Sequence, residues 1–382
     1  MRLLHTSDWH LGRSLHRTDL REAQGSFLDH LVETVRSERV DAVLVAGDVY
    51  DRAVPSVDAV ELCEQALVRL SELGTRVVVI SGNHDSARRL GFGSRLLDAA
   101  GVHVRTRVAA CAQPVVLEDA AGPVAVYGVP YLEPEAVRAE LPPETGRGHG
   151  AVLGAALASV RDELAGRGAV RSVVLAHAWV GQAVASDSER DITVGGVASV
   201  GASLFDGFTY SALGHLHGPQ VLADGLRYSG SPLAYSFSEA GHTKGSWLVE
   251  LDAGGLGRVE HVPAPVPRRL STVRGTLSDL LTSTAYDALA HDWLQVTLTD
   301  TARPDDAMVR LTSRFPHVLV LDWRPEDGVA DDRTYGARVA GRSDAEVARE
   351  FVAHVRRTPA TDDEQQLLAD ALEAGRLAGA AV

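Results

Sequence analysis

The stretch Arg2-Leu3-Leu4-His5-Thr6-Ser7-Asp8-Trp9-His10-Leu11-Gly12 passes within a few residues from an apolar run into a polar loop that holds a carboxylate and an imidazole two positions apart. A short apolar run ending in a polar, glycine-containing loop reads as a strand whose carboxyl end carries chemistry, which is where open α/β sheets build their sites. The pattern recurs. Ala42 to Ala46 leads into Gly47 to Asp51, and Arg76 to Ser81 into Gly82 to Ser86. Helical periods over Leu20 to Glu38 and Ser56 to Leu73 lie between them, so the first half reads as βαβαβ.

From Ser172 onward strands dominate: Ser172 to Ala176, Phe208 to Gly214, Leu226 to Ser229, Ser246 to Leu251 and Arg258 to Val262. They imply a second, mostly antiparallel sheet packed face to face with the first. With helices outside, residues 1–265 then form an α/β fold of four layers, an α/β/β/α sandwich. Pro263, Pro265 and Pro267 mark a boundary, because alternating prolines resist both helix and central strand. A small α+β domain is expected over 268–325, with strands near Leu270 to Arg274, Trp293 to Thr299 and Val318 to Trp323 and helices near Thr276 to Leu281 and Pro304 to Phe315. After the polar stretch Glu326 to Arg342, Ser343 with Glu346 and Thr361 with Glu364 are capping boxes that open amphipathic C-terminal helices over 343–378. Val347, Phe351, Val352 and Val355 share one face, suited either to a partner or to the chain's own core. The Ala- and Gly-rich tail beyond Gly375 reads as frayed.

Composition narrows the function classes. At 382 residues the chain can bury a large core and still carry appendages. No apolar run approaches the roughly 20 residues a bilayer needs, and the first residues show no leader pattern, so a cytoplasmic protein with no membrane partner is expected. Two cysteines, Cys63 and Cys111, are too few for a disulfide framework. The net charge of −14 excludes a uniformly basic nucleic-acid coat, though not a local patch aided by bound cations. Lys244 is the only lysine; the arginine bias suits bidentate phosphate contacts, and arginine-rich codon usage explains it equally well.

Five short motifs follow strand-like runs in order: Asp8-Trp9-His10, Gly47-Asp48, Gly82-Asn83-His84-Asp85, Ala176-His177 and Gly214-His215-Leu216-His217. Each alone has a plainer explanation, since Gly-Asp commonly forms a turn and a single histidine is more often packed than ligating. Together they assemble carboxylate, imidazole and amide donors. That set suits Mn²⁺, Fe²⁺ or Zn²⁺ better than Ca²⁺, and the lack of thiolates argues against structural zinc. In extended backbone, positions i and i+2 point the same way, so Asp8 with His10, and His215 with His217, are expected to converge pairwise. The donors outnumber one coordination shell, which implies two cations.

The order of these motifs resembles the calcineurin-like metallophosphoesterases. The opening through Arg13, Ala46-Gly47-Asp48-Val49-Tyr50-Asp51-Arg52, Arg190-Asp191-Ile192 through Gly196, and Tyr228-Ser229-Gly230-Ser231-Pro232 with Ser236-Phe237 are similar to the family of bacterial SbcD exonuclease subunits. The resemblance implies Asp8, His10 and His217 as ligands of one metal, Asn83, His177 and His215 as ligands of the other, and Asp48 as a bridge using both of its oxygens. His84 is left as the catalytic group that stabilises the transition state or protonates the leaving oxygen. Asp85 either supports the His84 ring or caps its turn. Arg13, Asp51 and Arg52 are candidate substrate-binding residues.

The same resemblance implies a nucleoid-associated, Mn-dependent DNA nuclease acting in DNA repair, recombination and replication. It would work as an exonuclease on duplex ends and an endonuclease on hairpins and single strands, through in-line attack by a water activated between two cations. It implies residues 268–325 as a capping domain over the site and the C-terminal helices as a dock for an SbcC-like, SMC-type ATPase. A homodimer through helices near the start of the nuclease domain follows from it as well. Two other readings compete: a phosphatase or cyclic-nucleotide phosphodiesterase on the same metal core, and a silent DNA-end scaffold, which would have lost a ligand.

Overall fold

A computed structural model describes residues 1–192, 199–326, 341–356 and 358–379. Gly196, most of the polar stretch after Glu326, and the chain end beyond Gly379 fall outside the described residues. The chain divides into two compact units, Met1–Pro267 and Arg268–Val382.

The first unit grows from strands that are buried on both faces. Strand β1 (Arg2–Thr6) precedes a two-residue β-ribbon (β2 Ser14–Leu15, β3 Thr18–Asp19), helix α1 (Arg21–Glu38), β4 (Ala42–Ala46), α2 (Val57–Glu72) and β5 (Arg76–Ile80). All five residues of β4 are buried. Because side chains alternate along a strand, Leu3, Leu44, Val78 and Ile80 enter one core while Leu4, Val43, Val45, Val77 and Val79 enter another against α1 and α2. Burying one such side chain is worth about 1.5–3 kcal/mol, so these strands are fixed from both sides.

Two short helices (α3 Ala87–Leu90, α4 Ser94–Leu97) lead to β6 (Val102–Arg105), one edge strand of this sheet. The second sheet contains β7 (Val115–Asp119), β8 (Gly122–Val129), β9 (Arg171–His177), β10 (Tyr210–Gly214), β11 (Gln220–Ala223) and β12 (Leu226–Tyr228), in the order β11-β12-β10-β9-β8-β7. Between β8 and β9 run a one-turn α5 (Pro134–Val137) and the long α6 (His149–Arg167). Val124, Val126, Val173, Leu175, Tyr210 and Ala212 face the first sheet, while Ala125, Tyr127, Val174 and Leu213 pack with Val152, Leu153 and Leu157 of α6. The unit is a four-layer α/β/β/α sandwich.

Two expectations need correction. The second sheet is parallel through β12, β10, β9 and β8, with antiparallel pairing only at its edges. The crossover through α6 returns the chain in the same direction, which a parallel pair requires. Strands β13 (Gly245–Asp252) and β14 (Gly255–Pro263) belong to the first sheet, where β13 pairs antiparallel with β1 in the register Leu3↔Val249. That register sends Val249 and Leu251 into the core between the sheets and Leu248 toward α1.

In the second unit, β15 (Leu270–Gly275), β16 (Trp293–Leu298) and β17 (Val318–Trp323) form a parallel sheet, connected through α7 (Leu277–Thr282) and α8 (Ala307–Thr312). Leu280, Leu294, Val296, Leu311 and Phe315 make its core. Both capping boxes form: the Ser343 amide donates to Glu346 Oε2 at 2.8 Å and the Thr361 amide to Glu364 Oε2 at 2.8 Å, at the starts of helices Asp344–Arg356 and Asp362–Gly379. Phe351 is 57% exposed and Leu367 67%. Among the described residues, no helix is long and apolar enough to cross a membrane.

Candidate metal centre

The carboxyl ends of β1, β4, β5, β9 and β10 bring Asp8, His10, Asp48, Asn83, His177, His215 and His217 to one place. Close approach is possible because small residues end these strands. A Cβ on Gly82 would run into the Asp48 carboxylate, and one on Gly47 into the His177 ring. Asp8, His10, Asp48 and His215 all have positive φ, of 53°, 43°, 48° and 109°. Such backbone costs about 1–3 kcal/mol per residue and persists where a site demands it.

Two groups of donors form with Asp48 between them. In the first, ligand atoms of Asp8, His10 and His217 lie within 4.8 Å of one another, with His10 Nε2 and His217 Nε2 3.0 Å apart. In the second, Asn83 Oδ1 lies 2.9 Å from His177 Nε2 and 3.0 Å from His215 Nδ1. Asp48 Oδ2 faces both groups, 3.6 Å from His10 Nε2 and 3.5 Å from His177 Nε2. Its other oxygen accepts the His84 amide at 2.8 Å.

The paired convergence expected from extended backbone does not occur as such. Asp8 and His10 meet through left-handed backbone beyond the end of β1, and His215 and His217 diverge into different groups. A strand's two-residue period does not extend into the loop that follows it.

The electrostatics fit divalent cations. Burial, reinforced by the Asp48 charge, pushes the Asp8 carboxyl well up. Burial and neighbouring imidazoles push His10 and His215 well down, and burial also lowers His177, so these rings offer neutral lone pairs. His177 Nδ1 lies 2.9 Å from the Ala46 carbonyl, which can only accept; the proton sits there and Nε2 is left bare toward the site. Buried carboxylates that repel one another beside bare imidazole nitrogens and an amide oxygen are complementary to a hard or borderline cation, and no thiolate takes part.

His84 and Asp51 form one side of the site. His84 Nδ1 donates to the Asp51 carbonyl at 2.8 Å, which turns Nε2 toward the donors, and its ring lies 4.7 Å from that of His10. Asp85 does not hold this ring. Its carboxylate accepts the amides of Gly82, Val49 and Tyr50 at 2.9, 3.1 and 2.9 Å, tying two ligand loops together, and burial with the Asp48 charge raises it to about 7. Arg13 is spent largely on the protein: it donates to the Ser188 carbonyl at 2.7 Å and stacks 5.0 Å over Tyr235. Arg52 is 84% exposed in its side chain, with Nε 3.7 Å from Asp51.

Sequence reading missed Ser188, Glu189, Glu239 and Lys244, which surround His217 from behind. His217 donates its amide to Glu189 Oε1 at 2.7 Å, and its Nδ1 lies 2.5 Å from Ser188 Oγ. The one usable signal was the solitary lysine, here buried against Glu239 Oε2 at 2.5 Å.

Two family models match the chain. The calcineurin-like phosphoesterase model covers residues 1–126, and the Type 5 capsule protein repressor C-terminal domain, also termed SbcD_C, covers residues 266–356. Solved structures with partial similarity include TT1561 of Thermus thermophilus, at 13% identity over 68% of this chain and 98% of that one with a TM-score of 0.37. A dimetal phosphatase from Danio rerio shares 15% identity over 69% and 98%, with a TM-score of 0.39. GAP50 of Plasmodium, an anchor in the inner membrane complex, shares 11% over 86% and 98%, with a TM-score of 0.34. A calcineurin-like phosphoesterase match over residues 1–126 and an SbcD_C match over residues 266–356 support an SbcD-like metallophosphoesterase.

Proposed function

We propose that the chain is a Mn-dependent DNA nuclease: an exonuclease on duplex ends and an endonuclease on hairpins and single strands, with a role in DNA repair and recombination. The observation that carries the reading is the pairing of two donor groups about Asp48 with an SbcD_C domain in the same chain. In this reading Asp8, His10 and His217 hold one cation, Asn83, His177 and His215 the other, and Asp48 both. Bound there, the cations would activate a water and offset charge on the phosphate.

The chain's own groups do the rest. His84, oriented by the Asp51 carbonyl, presents Nε2 to the phosphate or the leaving oxygen and, when protonated, donates to it. Asp85 keeps the loops carrying Asp48 and Asn83 in register. Arg52, exposed beside Asp51, can reach a backbone phosphate, which suits recognition by charge rather than base sequence.

Partners belong to the same proposal. Phe92, 87% exposed, lines one hollow with Val60 and Val68 of α2, an apolar surface suited to a second copy. Phe351 and Leu367 on the C-terminal helices suit an SbcC-like ATPase, and residues 268–325 are assigned as a capping domain.

The test is hydrolysis of an end-labelled linear duplex with Mn²⁺, beside a Mg²⁺-only control and Asp48→Ala. Mn²⁺-dependent shortening that falls at least a hundredfold in the variant is expected. Faster turnover of a small phosphate monoester than of DNA, with or without the ATPase and ATP, would replace the nuclease by a phosphatase.

A further inference from the structure

Behind His217 lies a line of buried polar groups that the reaction does not use. Glu239 is 1% exposed, Lys244 5% and Ser188 8%. Ser188 Oγ lies 2.5 Å from His217 Nδ1 and 2.5 Å from Glu239 Oε1. Lys244 Nζ donates to Glu239 Oε2 at 2.5 Å, to the His217 carbonyl at 2.7 Å and to Ser231 Oγ at 3.0 Å, which uses all three of its protons. Burying two charges costs several kcal/mol each, and an apolar pair would fill the space at lower cost. Stability alone does not explain the arrangement.

Counting hydrogens supplies a reason. Lys244 donates to Glu239 and accepts nothing, so the carboxylate it pairs with is an acceptor on its other oxygen too. Two oxygens at 2.5 Å need a hydrogen between them, and Ser188 has only one to give. It goes to Glu239. The contact between Ser188 Oγ and His217 Nδ1 must then be an N–H donating to oxygen, which in the neutral ring places its one proton on Nδ1 and leaves Nε2 bare where it faces His10. The loop that carries Ser188 is pinned as well, by Glu189 accepting the His217 amide and Arg13 donating to the Ser188 carbonyl.

We propose that Ser188 and Glu239, held by Lys244, are positioning residues that fix His217 as its Nδ1–H tautomer and so present Nε2 as a ligand in the Asp8, His10 and His217 group. The inference rests on the two-cation reading and says which groups prepare one half of it. Arg13 thereby gains a role in seating the loop.

The experiment is Mn²⁺ binding by equilibrium dialysis to the full chain and to Ser188→Ala and Ser188→Thr, together with long-range ¹H–¹⁵N spectra of His217 in the metal-free chain. The wild type should bind two Mn²⁺ and show the Nδ1–H tautomer. Ser188→Ala leaves the Glu239 and Lys244 pair intact; it should weaken one of the two sites by about 10–100-fold and spare the other. Ser188→Thr keeps the hydroxyl and should restore binding to near wild type. Equal affinity at both sites in Ser188→Ala, or equal loss at both, overturns the inference. So does an Nε2–H tautomer in the wild type, a result that needs no variant to fold. A wild type that binds fewer than two Mn²⁺ overturns the site reading beneath it instead.

Discussion

At the scale of single residues, the centre concentrates what a stable fold avoids. Asp8 is fully buried next to Asp48 and its carboxyl is pushed well up, first by burial and then by that neighbour's charge. It costs stability in the absence of a counter-charge. Asp8→Asn should therefore stabilise the chelator-treated chain by about 1 kcal/mol, roughly 2–4 °C in a unit of this size, while weakening Mn²⁺ binding at least tenfold. Differential scanning in EDTA and a Mn²⁺ titration check the two halves. A metal-free variant no more stable than the wild type would mean that Asp8 is relieved by the protein itself. Gly82 gives the complementary case, since any Cβ there meets the Asp48 carboxylate. Gly82→Ala should displace the Asp48 carboxylate through its Oδ1 and lower affinity at both cation sites together, where Ser188→Ala lowers one.

Among the secondary elements, the C-terminal helix Asp362–Gly379 offers a test of local electrostatics. Glu364 is held down to about 2, first by the Arg356 guanidinium and then by the Thr361 amide. A carboxylate with a depressed folded pKa contributes its full stabilisation above the ordinary value of 4.5 and loses it as pH falls from there toward 2. Amide protection in this helix, taken relative to intrinsic exchange, should hold from pH 7 to 5 and decline below 4.5, and Glu364→Gln should remove that decline. Unchanged protection down to pH 3 would show that the capping box carries no part of this helix's stability. The group is exposed, so the effect should shrink in high salt.

Elements of this kind were legible because their signals are local. Thr361 and Glu364 are three apart, and the all-apolar run of β4 is bounded by a glycine. The direction of the second sheet was not. It depends on the crossover through α6, whose buried stripe His149, Val152, Leu153, Ala156, Leu157 and Val160 is hard to see in the sequence because alanines lie on the other faces as well. The hairpin β13–β14 is equally readable on either sheet, and only the free edge of β1 decides its place. The donor motifs that the structure brings together each lie within four residues at a strand end, whereas Ser188 and Glu239 meet across 51 positions. Such a contact leaves no trace in spacing.

For the whole molecule, the division into two units makes cation binding a probe of which part responds. Every donor of the centre lies within Met1–Pro267, and none comes from the described residues of Arg268–Val382. A ligand that binds only the folded form stabilises it by RT ln(1 + [L]/Kd), about 2.7 kcal/mol per site at a hundredfold excess over Kd. Units that melt separately should therefore give a thermal scan in which Mn²⁺ raises the transition of the first unit and leaves the second in place, and EDTA should reverse the shift. Asp48→Ala, which removes the donor common to both groups, should abolish most of it, whereas Ser188→Ala, with one site weakened about 10–100-fold, should abolish about a quarter to two fifths. If both transitions rise together, the two units are thermodynamically coupled and cation occupancy is felt along the whole chain. If neither rises at millimolar Mn²⁺, the buried carboxylates and imidazoles around Asp48 do not form a metal centre.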